Sequence, residues 1–290
     1  MDYDDDRQWL LPGEINLGYN VFAAHRGKGY ASRAVQLLMH HLAMSRHHHT
    51  ATLLINPGNE RSLALAARTH FSRAGEIDGD HYFKRPVPPL TYTDGEVAIR
   101  RPRAEDLEAD LEAKDDEQIN WLWLPDQRES WEAMTGDEQH AHALRWLQQA
   151  GSAFGAGPKW TFAVESRDSD YVGHVDCDLA NDHVPWGDAN ISYSTHPAHR
   201  RKGLASRAVR LAIRFLHDHT GARHAHLVVD AENAASLRVA RSVGAIAGER
   251  WVNDRGRTMV RHLLVVQAVD GRDQRSGSRN FSNSHHSSVS

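Results

Sequence analysis

Two short basic segments of this chain combine residue types that bind phosphate groups. The first loop, residues 26–32, and the second loop, residues 200–206, both begin with Arg-x-x-Gly-x-Ala, and Lys28 and Lys202 occupy the same place in each. Between a strand and a helix, the backbone N–H groups of such a loop can bind an anion. Neither loop has the Gly-Lys-Ser/Thr ending of a P-loop or the pattern Gly-x-Gly-x-x-Gly, which disfavours ATP and NAD. The pattern therefore predicts a site for a different polyphosphate.

The two loops belong to an internal repeat with an offset of 174 residues, so that position 26 corresponds to position 200. Each copy predicts a strand, the loop, a helix, a strand, a second helix and two closing strands. The matching residues outside the loops are Asn16 and Asn190, Tyr19 and Tyr193, Asn59 and Asn233, and Ser62 and Ser236. Residues at helical spacing support the helix after each loop, namely Leu204, Ala208, Leu211 and Phe215 in one copy and Tyr30, Ala34, Leu37 and His41 in the other. We expect both sets to face a core.

Only the second copy is preceded by a segment that predicts the front half of a domain. After a Pro-rich joint at residues 86–89, strand signals occur at 97–100, 160–164 and 171–175, and helix signals at 104–113 and 137–149. The first copy starts at a position that aligns with the middle of a strand. We expect it to be truncated, because a valine codon can be read as a start; a genuine half-domain that uses its neighbour as a wall is the alternative.

These patterns predict the organisation of the whole chain. We expect a half-domain at residues 1–87, a linker at 88–94, a complete domain at 95–268 and a disordered tail at 269–290. The tail is rich in Ser, Arg and Asn and has too few apolar residues to form a core.

Composition excludes several classes of protein. The net charge of −4 and the pI near 6.6 argue against bulk electrostatic binding of nucleic acid. Cys177 is the only cysteine, so the chain can form no internal disulfide and no cysteine-based zinc cluster. The sequence has no apolar run of the length that spans a membrane. We therefore expect a cytoplasmic protein with no nucleic-acid or membrane partner.

The repeated order strand, Arg-x-x-Gly-x-Ala, helix, strand, Asn-x-x-Ser, helix resembles the GNAT superfamily of acyl-CoA-dependent N-acyltransferases. The segment at residues 99–106 and the spacing from Asn233 to Ser236 are similar to its Rim-type ribosomal-protein branch. The resemblance covers residues 95–266 as a complete domain and 1–87 as the C-terminal half of another. It implies an α/β fold with a mixed, mostly antiparallel central sheet flanked by helices. It also implies acetyl-CoA as co-substrate and no metal.

The resemblance implies that the second loop holds the pyrophosphate of acetyl-CoA and that the preceding strand holds the pantetheine arm. The cofactor-binding residues implied in the second copy are Ser194, Thr195, His196, Arg200, Arg201, Lys202, Gly203, Leu204, Ala205, Ser206 and Asn233. Those implied in the first copy are Arg26, Gly27, Lys28, Gly29, Tyr30 and Ala31.

The residues that transfer protons are less well defined by the sequence. Asn190 stands where Rim-type enzymes usually have a glutamate, so our candidate base is Asp188, two residues earlier on the same strand face. Ser236 is the candidate acid, with a simple helix N-terminal hydrogen bond as the alternative. A competing catalytic cluster on the preceding strand consists of His174, Asp176 and Asp178.

Several other conspicuous residues have simpler interpretations. We expect Cys177 to be a small buried residue, and the histidine run at residues 47–49 has no carboxylate or cysteine partner that would indicate a metal site. The acidic residues 115–117 either attract a cationic amine or form a charged helix face. Four tryptophans are expected to pack in the core or to wall an acceptor site, namely Trp121, Trp123, Trp131 and Trp146.

The sequence thus favours an enzyme that transfers an acetyl group from acetyl-CoA to a primary amine by direct attack. The acceptor is either a protein N-terminus or a small-molecule amine, and a homodimer is left open. The alternative is an acyl-CoA-binding sensor or scaffold without catalysis, because Asn190 and Ala240 depart from common catalytic positions of the family.

Overall fold

The computed structural model of the protein describes residues 2–154 and 157–266, so the predicted tail at 269–290 lies outside the described residues. The strands among these residues form two sheets. The first has the strand order β1-β2-β3-β5-β4 and the second the order β12-β13-β11-β10-β9-β8-β7-β6. The strands of the first sheet are β1 (Asp2–Asp4), β2 (Glu14–Gly18), β3 (Thr50–Ile55), β4 (Ser72–Ile77) and β5 (Asp80–Pro86). Its helices are α1 (Tyr30–Ser45) and α2 (Glu60–Arg68).

The second sheet and its helices form the larger half. Its strands are β6 (Tyr92–Thr93), β7 (Val97–Arg100), β8 (Lys159–Ser166), β9 (Ser169–Asp178), β10 (Ala189–Thr195), β11 (His224–Asp230), β12 (Ile246–Val252) and β13 (Thr258–Val265). Its helices are α3 (Leu107–Glu112), α4 (Asp116–Leu122), α5 (Pro125–Glu132), α6 (Gly136–Ala153), α7 (Leu204–His219) and α8 (Ala234–Ser242). Two residues of the predicted linker at 88–94, Tyr92 and Thr93, pair with β7 in this sheet.

The strands pair in a similar way in the two halves. In the first half β2 runs parallel to β3, and in the second half β10 runs parallel to β11; the other pairs are antiparallel. The expected mixed, mostly antiparallel α/β fold is therefore present. The predicted strands of the front half are also confirmed, as is the helix signal at 137–149. The signal at 104–113 resolves into a 3-10 turn at Ala104–Asp106 followed by α3.

The two repeated helices bury different faces. In α7 the predicted residues Ala208, Leu211 and Phe215 are buried against the sheet. In α1 the equivalent prediction is wrong, because Leu37 is 58% exposed and Tyr30 is 53% exposed. The residues of α1 that enter the core are instead Val35, Met39 and Leu42. The physical reason is that α7 packs on β6, β7 and β9, whereas the described first half has no strands beyond β1 to cover that face.

A second face of α1 packs on α7 and joins the two halves. The Gln36 side chain donates from Nε2 to the backbone oxygen of Thr220 at 2.7 Å, and the Nδ1 atoms of His40 and His219 lie 3.1 Å apart. All three side chains are buried. This face of α1, in the first half, is therefore buried by contact with α7 of the second half.

Two further features limit the kinds of site. Among the described residues, no helix is long and apolar enough to cross a membrane, and no three His, Cys, Asp or Glu side chains converge as a metal site would require. Cys177 is buried, as predicted.

Candidate functional site

The second loop has the backbone geometry of an anion-binding nest. Arg201 and Gly203 both have left-handed φ angles, of 65° and 76°, and α7 begins at the next residue. Alternating backbone conformations of this kind turn successive N–H groups toward one side. In the described part of the chain, the N–H groups of residues 201–206 have no acceptor, as expected for a helix N-terminus. A Cβ added at Gly203 would meet no atom within 4 Å, so the space beside the loop is open.

The first loop has the same geometry. Gly27 and Gly29 take φ angles of 79° and 78° at the positions of Arg201 and Gly203, and α1 begins directly afterwards. The space beside Gly29 is open as well. Both copies of the motif therefore fold into the same loop.

The arginine that opens the motif does not face the loop amides. Arg200 donates from Nε to the backbone oxygen of Thr195 at 3.1 Å, and Arg26 makes the equivalent bond to Val21 at 2.9 Å. The other nitrogens of Arg200 bind Asp115 in a bidentate pair, with both distances 2.6 Å. This differs from the expected phosphate-binding role of Arg200, because its guanidinium is committed to protein acceptors. Arg201 and Lys202 are exposed beside the loop, and their cofactor-binding role stays a prediction.

Strand β10 has an open edge that leads to the second loop. It pairs with β11 only at Ala189 and Asn190, while its pairing with β9 continues to Thr195. The backbone groups of alternate residues in a strand point to opposite edges. Since His196 bonds to β9, the amides of Tyr193 and Thr195 point toward the gap.

Strand β10 also carries two buried polar atoms, Asn190 Oδ1 and Tyr193 Oη, that have no hydrogen-bond partner among the described residues. Burial raises the pKa of Tyr193 to about 12, and the nearby Ser236 hydroxyl opposes the rise without reaching good hydrogen-bond geometry. The equivalent atoms of Asn16 and Tyr19 are orphaned in the same way in the first half. Buried polar groups without partners are uncommon and point to a ligand or to ordered water.

The Asn-x-x-Ser motif forms the cap of the helix that follows it. The Asn233 side chain accepts from the N–H of Ser236 at 3.0 Å, and Asn59 accepts from Ser62 at 3.2 Å. Asparagine is a preferred N-cap residue. The motif thus positions the Ser236 hydroxyl near Tyr193, and the cofactor role of Asn233 remains a prediction.

Asp188, the candidate base, lies at the start of β10. Its carboxylate contacts His226 Nε2 at 2.9 Å and His224 Nδ1 at 3.3 Å, both on β11. In the first half Glu14 takes the same place and accepts from Lys84 at 2.5 Å and from Tyr82 at 3.0 Å. In the part of the chain that the structure covers, Asp188 does not line the cavity described next.

The tryptophan-lined cavity, of about 610 Å³, lies between α3 to α6 and the strands β8 to β10. Trp123, Trp131 and Trp146 line it, with the first two rings in edge contact at 5.4 Å. Lys114 lies over the Trp131 ring and pairs with Asp110. Pockets of 300–1,000 Å³ with aromatic walls and a few polar groups are typical of small-ligand sites.

The polar wall of this cavity is the competing cluster predicted on β9. His174 Nδ1 contacts Ser194 Oγ at 2.9 Å. Asp176 contacts Lys159 at 3.3 Å through Oδ2, while its buried Oδ1 has no partner in the described structure. Asp178 lies on the same strand but is not among the lining residues described. Sequence reasoning missed Ser192 and Lys159, although Ser192 is directly opposite Asp176 in the β9–β10 register and could have been found from that pairing.

Comparison with known families gives the class of the protein. A family profile described as an acetyltransferase (GNAT) domain matches residues 1–72 and 96–246. The chain belongs to the GNAT acetyltransferase family. This GNAT chain is therefore an acetyltransferase; the first matched segment contains β1 to β3 and the second β7 to β11.

Solved structures with a similar fold include three described acetyltransferases. A GNAT-family acetyltransferase from Bacillus anthracis is 15% identical, with a TM-score of 0.49, and the match covers 61% of this chain and 99% of that one. RimJ from Mycobacterium smegmatis, in complex with a CoA disulfide, is 17% identical, with a TM-score of 0.49, and the match covers 59% of this chain and 83% of that one. A ribosomal-protein-S5-alanine acetyltransferase from Vibrio fischeri is 12% identical, with a TM-score of 0.49, and the match covers 61% of this chain and 96% of that one. A comparison of this GNAT chain with curated protein sequences found no match.

Proposed function

We propose that the second half of this GNAT chain transfers the acetyl group of acetyl-CoA to a primary amine by direct attack. One observation carries the proposal: β10 borders both the second loop and the tryptophan-lined cavity. Its side chains Ser192 and Ser194 contact the cavity residues Asp176 and His174, and the second loop follows its C-terminal end. A donor held on the loop and an acceptor held in the cavity would therefore meet at one strand.

On the donor side, the free amides of residues 201–206 would bind the pyrophosphate, with Arg201 and Lys202 adding positive charge. The acyl arm would lie along the open edge of β10. There, the outward-pointing amide of Tyr193 or Thr195 would polarise the thioester carbonyl, as backbone donors do for developing oxyanions.

On the acceptor side, the unpaired Oδ1 of Asp176 would attract an ammonium group into the cavity. A free amine has a pKa near 10, so it must lose a proton before it attacks. If Ser194 accepts from Nδ1–H of His174, then Nε2 of His174 is left as the basic nitrogen. The amine nitrogen then bonds to the carbonyl carbon, the carbon–sulfur bond breaks, and the thiolate leaves. The Ser236 hydroxyl, held beside Tyr193, remains our candidate acid, and Asp188 remains the alternative base.

The first half is proposed to bind an anion without catalysis. Its loop has the geometry of the second loop, so the predicted ligands Gly27, Lys28, Gly29, Tyr30 and Ala31 remain our candidates, whereas Arg26 donates through Nε to the preceding strand, as Arg200 does. Its described residues, however, provide no counterpart of helices α3 to α6. A cavity like the tryptophan-lined one therefore cannot form around it from the described chain.

Release of free thiol from acetyl-CoA with a panel of amines tests the proposal. The wild-type protein should release thiol only in the presence of an acceptor, and His174→Ala should lower kcat about 10²- to 10⁴-fold, the usual contribution of a general base. The affinity of His174→Ala for acetyl-CoA should equal that of the wild-type protein. Asp188→Asn in parallel tests the alternative base. His142→Gln, which changes a ring on the opposite wall of the same cavity, controls for a general disturbance of the cavity.

If acetyl-CoA binds and no amine accelerates thiol release, the non-catalytic sensor replaces the enzyme. If Asp188→Asn abolishes turnover while His174→Ala does not, the base is Asp188 and the competing cluster only shapes the cavity.

A further inference from the structure

We propose that Arg200 is a positioning residue that couples the second loop to the tryptophan-lined cavity through helix α4; this inference rests on the proposed function. One guanidinium connects the two sites. Its Nε binds the backbone oxygen of Thr195 at the end of β10. Its two terminal nitrogens bind Asp115, at 2.6 Å each, and one of them also binds Glu117 at 2.7 Å. Bidentate arginine–carboxylate pairs fix orientation as well as distance.

Asp115 places this contact at the first turn of α4. Its Oδ1 caps the helix by accepting from the N–H of Gln118 at 3.0 Å, and it also accepts from Arg200. Gln118 and Leu122, one helix turn apart, line the tryptophan-lined cavity. A displacement of the α4 N-terminus would therefore move the cavity wall.

The C-terminal end of α4 is held by two other arginines. Arg257 donates to the backbone oxygen of Asn120 at 3.2 Å and to its side-chain oxygen at 3.0 Å, and Arg255 donates to the backbone oxygen of Trp123 at 2.7 Å. Both arginines lie in the turn between β12 and β13. The helix is thus attached to the loop at one end and to this turn at the other. The Arg200 end connects it to the proposed donor site.

Comparison of the two copies distinguishes the two contacts of Arg200, one to the preceding strand and one to α4. Arg26 keeps the bond to the preceding strand, to Val21 at 2.9 Å, but among the described residues no carboxylate pairs with it. The bond to the strand is therefore part of the loop fold in both copies. The bond to α4 occurs only in the half that has the cavity, as a coupling contact would require.

The variant Asp115→Asn isolates the coupling, because asparagine also caps helices well but cannot form the ion pair. We expect it to raise the KM for the best amine of the panel about tenfold, while the Kd for acetyl-CoA stays within about twofold, since the loop amides remain in place. Arg200→Lys should give a similar increase, because lysine cannot form the bidentate pair. The variant that combines Asp115→Asn and Arg200→Lys should raise the KM for the amine no further than either substitution alone, because both break the same contact. Glu132→Gln is the matched control, since it breaks an exposed arginine–carboxylate pair with Arg128 on the neighbouring α5.

Hydrogen–deuterium exchange gives a second readout that needs no amine. Binding of acetyl-CoA to the wild-type protein and to Glu132→Gln should slow exchange in residues 116–122. This protection should be lost in Asp115→Asn. Equal protection in Asp115→Asn would overturn the coupling, and so would an unchanged amine KM. Absence of any amine-dependent turnover in the wild-type protein would instead overturn the proposed function, and the exchange measurement would still decide the coupling.

Discussion

The opening arginine of the repeated motif shows how a residue pattern can be conserved between two copies for a structural reason. Arg26 and Arg200 both close their loop by donating to the backbone oxygen at the end of the preceding strand. This bond uses a side chain and leaves the loop amides free for an anion. The positive charge at the loop surface then comes from Lys28 in one copy and from Arg201 and Lys202 in the other.

A substitution at Gly203 tests the second loop at the level of one residue. Gly203→Val places a branched side chain over the loop amides, at a φ of 76° that L residues rarely adopt. Hydrogen bonds to charged groups contribute about 1.5–3 kcal/mol each, so loss of one or two predicts roughly 100-fold weaker acetyl-CoA binding. Isothermal titration calorimetry measures the change. Gly79→Val controls for backbone strain, because Gly79 has a φ of 85° and open space in a turn far from the loop. Unchanged binding in Gly203→Val would move the donor site to the first loop.

At the scale of elements, α1 and α7 have related sequences and different surroundings. Both follow a left-handed glycine and span sixteen residues. Strands β6, β7 and β9 cover one face of α7, whereas the equivalent face of α1 is exposed in the described structure. Burial of a helix face is decided by what packs on it, and spacing of apolar residues alone cannot show this.

The equivalent leucines Leu37 and Leu211 provide a matched pair of substitutions. Leu211 is 2% exposed and lies in the main core, so Leu211→Ala should lower the free energy of unfolding by about 2–5 kcal/mol. Leu37→Ala should change it by less than about 0.5 kcal/mol, because the side chain is largely in solvent and alanine favours helices. Urea denaturation followed by circular dichroism measures both. A large loss in Leu37→Ala would mean that the exposed face of α1 is covered in solution.

At the scale of the whole molecule, histidines line the contact between the two halves. His40 meets His219, and the tilted rings of His70 and His217 have centroids 4.2 Å apart. His219 is 3% exposed, and this burial lowers its pKa to about 4. The neighbouring His40 adds to the effect, whereas the contact with the Pro89 backbone oxygen and the charge of Asp218 oppose it. The His219 ring is thus neutral in the folded protein at neutral pH.

This burial predicts that the protein loses stability in mild acid. An unfolded histidine has a pKa near 6.5, so between pH 6.5 and pH 4 the unfolded chain binds more protons than the folded one. The free energy of unfolding should therefore fall as the pH drops through this window, and should be fully restored above it. His219→Gln removes the buried ring and should reduce the slope of the unfolding midpoint against pH. His183→Gln, at an exposed position, should leave the slope unchanged. An identical slope in His219→Gln would show that His219 does not contribute.

The sequence by itself determined the two loops, the repeated pattern around them and most element boundaries, because these depend on local propensity, turn residues and periodicity. The mixed α/β fold was expected from the resemblance to the GNAT superfamily. It also identified His174 and Asp176 as a cluster on one strand face. Only the tertiary structure decided that these residues face the tryptophan-lined cavity, that Asp188 pairs with His226, and that Arg200 reaches Asp115, 85 positions away. Contacts between residues so far apart in sequence depend on how the elements pack, and a single sequence contains no local signal for them.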